Sequence, residues 1–199
     1  MSEPNSIPDG SLIAAALAGD EAAFAQLARR YQGPLQHAAR SRLTDRQLAE
    51  DAVQEALLNA FRWLHTYDSR YSFRTWLWTI LLNQCTRIAQ RRSKLPATTE
   101  EPKEERQAEA SPVELLLARE SADRLHALLA RLPDTQADAL RLRFFGGLKF
   151  EEIAQAMECS VSGAKNRVRL GLTQLAAWLN PKPLANTGER TADLAGDSR

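Results

Sequence analysis

Residues 150–175 read FEEIAQAMECSVSGAKNRVRLGLTQL. Phe150, Ile153, Ala154 and Met157 recur at the three-to-four spacing of one helical face, Glu158-Cys159-Ser160 interrupts them, and Val161, Ala164, Val168, Leu172 and Leu175 resume the same period on a longer helix. The small Ala154 lets two helices cross closely, and a tight turn between them sets a near-perpendicular angle. That geometry is a helix-turn-helix, whose second helix enters a DNA major groove. Lys165, Asn166, Arg167 and Arg169 fall on its outward side and are donors of the kind that read guanine edges or hold phosphates. An ordinary helical hairpin is the alternative reading of the same pattern.

Working outward, the pattern stays helical. Upstream, Ser111-Pro112 supplies a cap and a first-turn proline, and Leu115, Leu116, Leu125, Leu128, Leu129 and Leu132 lead to Pro133. Asp134 is expected to cap the next helix, which ends at Phe145-Gly146-Gly147. Downstream, Pro181 stops the last helix, and residues 181–199 lack periodicity, as a disordered tail does. In the N-terminal half, Leu12, Ala15 and Ala16 form a first helix, and Gly19-Asp20 is a stop followed by a new cap. Phe24, Leu27, Ala28 and Tyr31 mark a second helix. Gly33-Pro34 is expected to break it, so that a third runs from Pro34 to Leu43. Thr44-Asp45 starts a fourth, to about Leu64, and a fifth spans about Ser72 to Arg92. No strand alternation occurs, so the fold class is all-α.

Residues 94–112, KLPATTEEPKEERQAEASP, hold three prolines, five glutamates and one large aliphatic residue, Leu95. Such a segment buries too little apolar surface to offset the entropy of ordering and reads as a flexible linker. The chain therefore divides into two small helical domains, 11–93 and 112–180, joined by the linker 94–111. At 199 residues a large multidomain enzyme is excluded. The apolar runs are far shorter than the roughly 20 residues that span a bilayer. Met1 to Gly10 lacks a secretory pattern, which points to the cytoplasm. Cys85 and Cys159 stand apart from each other and from His, so no disulfide framework, metal site or cofactor is expected.

Twenty-six basic and 25 acidic residues give a net charge of +1, but they are segregated. No acid occurs from Ser69 through Thr99, which holds Arg70, Arg74, Arg87, Arg91, Arg92 and Lys94; none occurs from Cys159 through Gly188, which holds Lys165, Arg167, Arg169 and Lys182. A charge run is often only a solvated face. Here one run lies on the recognition helix, and the other interleaves cations with Tyr71, Phe73, Trp76 and Trp78, the equipment for stacking and tracking single-stranded nucleic acid. At helical spacing the same aromatics could form a core face; Trp76 and Ile80 are assigned there, while Tyr71, Phe73 and Trp78 stay open between core and surface. On the fourth helix, Asp51 and Glu55 are like charges four residues apart, which suggests an interface with a basic protein partner, although acids near a helix N-terminus also simply suit its dipole.

The blocks LIAAALAGDEAAFAQLARRY (Leu12–Tyr31), AEDAVQEAL (Ala49–Leu57), FRTWLWTILLN (Phe73–Asn83) with Arg91-Arg92, and LPDTQADALRLRFFGGLKFEEIAQAM (Leu132–Met157) resemble, in order, a bacterial RNA polymerase sigma factor of the extracytoplasmic-function group. The resemblance implies that Asp51, Gln54 and Glu55 dock on the coiled-coil clamp helices of core RNA polymerase. It implies that Arg70, Tyr71, Phe73, Arg74, Trp78, Asn83, Arg87, Arg91 and Arg92 melt and capture the non-template strand of the −10 element. It further implies that Ser162, Lys165, Asn166, Arg167 and Arg169 read the −35 element of promoter DNA, and that an anti-sigma factor is a conceivable further partner. No catalytic residue, small-molecule substrate or membrane insertion is implied, the bond-forming chemistry belonging to the polymerase. The chain departs from the family pattern at Arg87, where an acid is usual, and in the recognition helix, where Gly171 is expected to cost roughly 1 kcal/mol against Ala. The alternative is a conventional helix-turn-helix regulator with an N-terminal protein- or ligand-binding domain. It would need neither the aromatic-basic segment nor the Asp51–Glu55 surface, and the scattered His37, His65 and His126 give no sign of an enzyme.

Overall fold

The computed structural model describes residues 7–43, 45–93 and 112–179, and the expected linker and tail lie outside them. Among the described residues the regular structure is entirely helical: α1 (Asp9–Leu17), α2 (Glu21–Arg42), α3 (Arg46–Arg62), a 3-10 turn (Leu64–Thr66), α4 (Phe73–Ser93), α5 (Pro112–Ala130), α6 (Asp134–Phe144), α7 (Phe150–Ala156) and α8 (Val161–Leu179).

Local chemistry sets most of these boundaries. Gly19 takes φ +99°, which lets the Asp20 amide reach back to the Ala15 carbonyl and close α1. The Asp20 carboxylate then accepts from the amides of Ala22 and Ala23 at 2.9 and 3.2 Å and opens α2. Asp45 caps α3 through the Leu48 amide, and Ser160 caps α8 through the Gly163 amide.

Two boundaries differ from the sequence expectation. The break at Gly33-Pro34 does not occur, and α2 runs unbroken for 22 residues with Pro34 inside it. Proline removes one hydrogen bond and crowds the preceding turn. However, Pro34 is exposed, while Leu27, Tyr31, Leu35, Ala38 and Ala39 form one buried stripe across it, and their packing outweighs that cost. Asp134 does not cap α6: Pro133 occupies the cap position without a side-chain bond, and Asp134 reaches to Arg42 on α2 instead.

In the N-terminal half, α2, α3 and α4 pack side by side, with α1 on α2. Ala49, Ala52, Ala56 and Ala60 put a fully buried stripe of methyl groups on α3, so that both neighbours approach closely. Leu77, Trp78, Leu81 and Cys85 of α4 fill the space between. In the C-terminal half, α8 lies on α6 and α7. A Cβ on Gly171 would lie 2.8 Å from Leu140 Cδ1 and 3.2 Å from Leu140 Cγ, so the glycine of α8 is the point of closest approach to α6.

The halves also meet each other, α2 against α5 and α4 against α7. Arg141 of α6 is 1% exposed and donates from Nε to Ser41 Oγ (2.7 Å) and from Nη2 to the Ser41 carbonyl (2.5 Å). Asp138 lies between Arg141 (2.7 Å) and Arg42 (3.8 Å). Burial pushes the Asp138 carboxyl above its ordinary range, and the two guanidinium groups oppose that.

Candidate nucleic-acid and polymerase interfaces

The recognition helix is α8. Ala164, Val168, Gly171 and Leu175 are its buried face, while Ser162, Lys165, Asn166 and Arg169 are exposed and Arg167 is half-buried. The sequence placed Leu172 inward; it is 43% exposed, and Gly171 takes its place on the spacing of four, three, four that the buried positions keep. Arg169 Nη2 donates to Asn166 Oδ1 at 2.8 Å, which orients the amide, and Lys165 Nζ stands 5.8 Å from the centroid of the Phe150 ring. The turn before α8 is closed by the Cys159 amide on the Ala154 carbonyl at 2.9 Å, with Glu158 at φ +48°, a conformation that favours glycine. Four polar side chains thus stand together on one rigid outward face.

The aromatic-basic segment is less uniform than its composition suggests. At 100° per residue, Asn83, Arg87 and Arg91 share one exposed strip of α4, whereas Arg74 and Arg92 lie on the opposite side of Asn83. Arg92 pairs with Asp45 at 3.3 Å, and Arg70 chelates Asp68 just ahead of the helix, with its guanidinium 5.9 Å from the Tyr71 ring. Tyr71 and Arg74 are exposed. Phe73, by contrast, is 4% exposed and sits among Tyr31, Tyr67 and Trp76 at 5.6–5.8 Å between ring centroids. Trp78 is fully buried. In this arrangement neither ring offers a face for stacking, while Trp76, assigned to the core, is half-buried. Tyr31 donates to Asp9 beneath this cluster, and burial first, then Asp9, pushes its hydroxyl up to about 12.

On α3, Asp51 and Gln54 are exposed and Glu55 is half-buried. Asp51 accepts from the Gln47 amide at 3.0 Å and Glu55 from the Asn59 amide at 3.4 Å. Leu58, four residues beyond Gln54 and 49% exposed, continues this strip and was missed in the sequence, where only the charges drew attention. Among the described residues no group of three or more His, Cys, Asp or Glu side chains could hold a metal ion, and no helix is long and apolar enough to cross a membrane.

The family model for Sigma-70 region 2 matches residues 27–95, and that for Sigma-70 region 4 matches residues 122–175, in that order along the chain. The chain belongs to the sigma-70 family. Its function is promoter-specific initiation of transcription. Among curated relatives, the RNA polymerase sigma-H factor of Pseudomonas aeruginosa is 29% identical over 169 residues, covering 80% of this chain and 88% of that protein. The ECF RNA polymerase sigma-E factor of Escherichia coli K12 is 29% identical over 171 residues, covering 81% and 89%. These relatives place the sigma factor in the extracytoplasmic-function group. Two solved structures share its fold. CnrH in complex with the cytosolic domain of CnrY has a TM-score of 0.69 at 24% identity, covering 88% of this chain and 99% of that one. The sigma factor RpoE bound to the anti-sigma factor NepR from Bartonella quintana has a TM-score of 0.59 at 21% identity, covering 78% and 96%. A conventional regulator with an unrelated N-terminal domain is not favoured, because region 2 occupies that domain.

Proposed function

We propose that this sigma factor works through three surfaces on two units, 11–93 and 112–180. The outer face of α8, with Ser162, Lys165, Asn166 and Arg169, reads the −35 duplex from the major groove, and half-buried Arg167 reaches it from the flank. The α4 unit takes the melted −10 strand: Asn83, Arg87 and Arg91 track its backbone along their shared strip, and Arg70, Tyr71, Arg74 and Arg92 contribute from around it. Asp51, Gln54 and Glu55, extended by Leu58, dock on the core polymerase clamp helices. Phe73 and Trp78 join the strand-binding set only if their packing changes. The observation that carries the reading is the segregation of α8 into a buried apolar face and an outer face with four donor side chains.

The protein adds no covalent chemistry of its own and acts in the cytoplasm, where the polymerase is. An anti-sigma factor is a fitting partner, since a solved protein of the same fold is held by one.

Transcription with purified bacterial core polymerase on a promoter library tests the whole. Promoter-dependent initiation is expected only when the chain is added, and its absence rejects the reading. Replacing Asp51 and Glu55 by Ala tests the docking surface. Core affinity should fall at least tenfold with helix content unchanged, since each charged contact is worth about 1.5–3 kcal/mol; unchanged affinity rejects that surface.

A further inference from the structure

The outward side of α8 changes character along its length. Ala164, Val168, Gly171 and Leu175 define the buried direction of the helix, and at 100° per residue the opposite direction runs through Asn166 and Thr173. Ser162, Arg169, Leu170 and Ala177 lie within about 50° of it, all exposed. Leu172, the neighbouring exposed leucine, lies about 110° away, on the margin of the buried face. Beyond Arg169 the helix carries no charged residue. Thr173 adds no donor, because its hydroxyl is given to the Arg169 carbonyl at 2.9 Å, and the methyl group is what it has left to offer. The reading face thus begins polar and continues apolar, with Leu170, 39% exposed, at the change.

An exposed leucine standing alone calls for no explanation. This one stands one turn beyond Asn166, and side chains four residues apart meet on a helix surface. The Asn166 side-chain oxygen already accepts from Arg169 Nη2 at 2.8 Å, which commits that oxygen and leaves the NH2 group to donate. Adenine asks an amide for a donor and an acceptor together, whereas thymine offers O4 as an acceptor and, beside it, the C5-methyl group. Cytosine has a donor where thymine has O4, and guanine carries acceptors but no methyl group. A donor flanked by an apolar side chain therefore matches thymine best among the four bases.

We propose that Leu170 is a base-reading residue: it contacts the C5-methyl group of a thymine in the −35 duplex, beside the acceptor that Asn166 takes. The inference rests on the proposed role of α8 and adds to it the base read at one position. Lys165 and Arg169 supply charge, which attracts any duplex, while Leu170 rewards only a sequence that places a methyl group against it. Loss of one methyl group from such a contact lowers affinity about fourfold.

The test uses the full chain assembled with core polymerase and a duplex library randomised across the −35 element. The unchanged protein should select thymine at one position, and Leu170→Ala should lose that preference while the others persist. Leu172→Ala should select as the unchanged protein does, and loss of the thymine preference there but not in Leu170→Ala overturns the assignment. Deoxyuridine in place of that thymine removes only the methyl group. It should weaken binding of the unchanged holoenzyme about fourfold and that of Leu170→Ala by less than about twofold. Selection without a thymine position, a preference that survives Leu170→Ala, or equal weakening of both proteins overturns the inference. Asn166→Ala separates this inference from the reading beneath it. If Asn166→Ala alters selection while Leu170→Ala does not, Leu170 alone leaves the reading face. If neither of them, nor Lys165→Gln, alters any position, the −35 role of α8 fails as well.

Discussion

Gly171 should resist replacement by alanine, against the ordinary preference of helices. Alanine is favoured over glycine inside a helix by about 1 kcal/mol, so Gly171→Ala on an isolated helix would stabilise. Here the added methyl would stand 2.8 Å from Leu140 Cδ1, about 0.6 Å inside the closest ordinary contact, and Leu140 is itself buried between α6 and α8. Overpacking of this kind costs typically 1–3 kcal/mol, which exceeds the gain from helix propensity, so the net effect is a loss of up to about 2 kcal/mol. Backbone hydrogen exchange in α8 reads this locally, and the loss corresponds to up to about thirtyfold lower protection. Leu140→Ala sharpens the test. That change alone should cost about 2–5 kcal/mol by leaving a cavity, but in its background Gly171→Ala should become stabilising, because the obstructing methyl is gone and the new one fills space. Gly171→Ala that stabilises α8 by the full propensity value in the otherwise unchanged protein would refute the reasoning, since it would mean that α6 yields freely.

Two further outcomes follow from the electrostatics. Burial pushes the Cys85 thiol from 9.0 up to about 12, so the unfolded chain releases a proton in that interval and the native one does not. Stability is unaffected below about pH 9 and then falls by about 1.4 kcal/mol per pH unit from this group; the urea midpoint of the native protein should therefore approach that of Cys85→Ala as pH rises from about 8 to 10.5, and parallel profiles would refute the assignment. Lys165→Gln should lower the slope of log affinity against log salt for promoter duplex by about 0.9 if the ammonium holds one phosphate, and an unchanged slope in a binding titration would remove Lys165 from the interface.

The features legible in the sequence are those written in neighbouring residues. The caps at Asp20 and Asp45, the Glu158–Ser160 turn and the inward placement of Ala164, Val168 and Leu175 on α8 are local, and capping residues and apolar spacing give them directly, whereas Leu172 turns outward and Gly171 takes its place. The single break at Pro34 was misread because a local penalty was weighed without the stripe that continues from Tyr31 to Leu35 and Ala38. Gly171 looked like a defect in α8 because its reason, Leu140, is 31 residues away in sequence. The same limit hid the contact between the halves. Arg141 follows Ala137 by four residues and Leu140 by one, so its inward direction was readable, but its partner Ser41 is 100 residues distant and no periodicity connects them. Phe73 and Trp78 show the converse: aromatic type and spacing suit stacking on bases and packing in a core equally, and only their neighbours decide.

The unbroken α2 has a mechanical consequence. Its 22 residues form a strut about 33 Å long, anchored near its middle by the ion pair of Arg30 with Asp9 and carrying Ser41 and Arg42, two of the groups that hold α6, at its C-terminal end. Pro34 sits between these two anchors, one turn beyond Arg30, and its ring nitrogen has no hydrogen to give the preceding turn. Bending there therefore breaks one bond fewer than bending elsewhere along the rod, and a few degrees at Pro34 would displace the tip holding Arg141 without repacking either anchor.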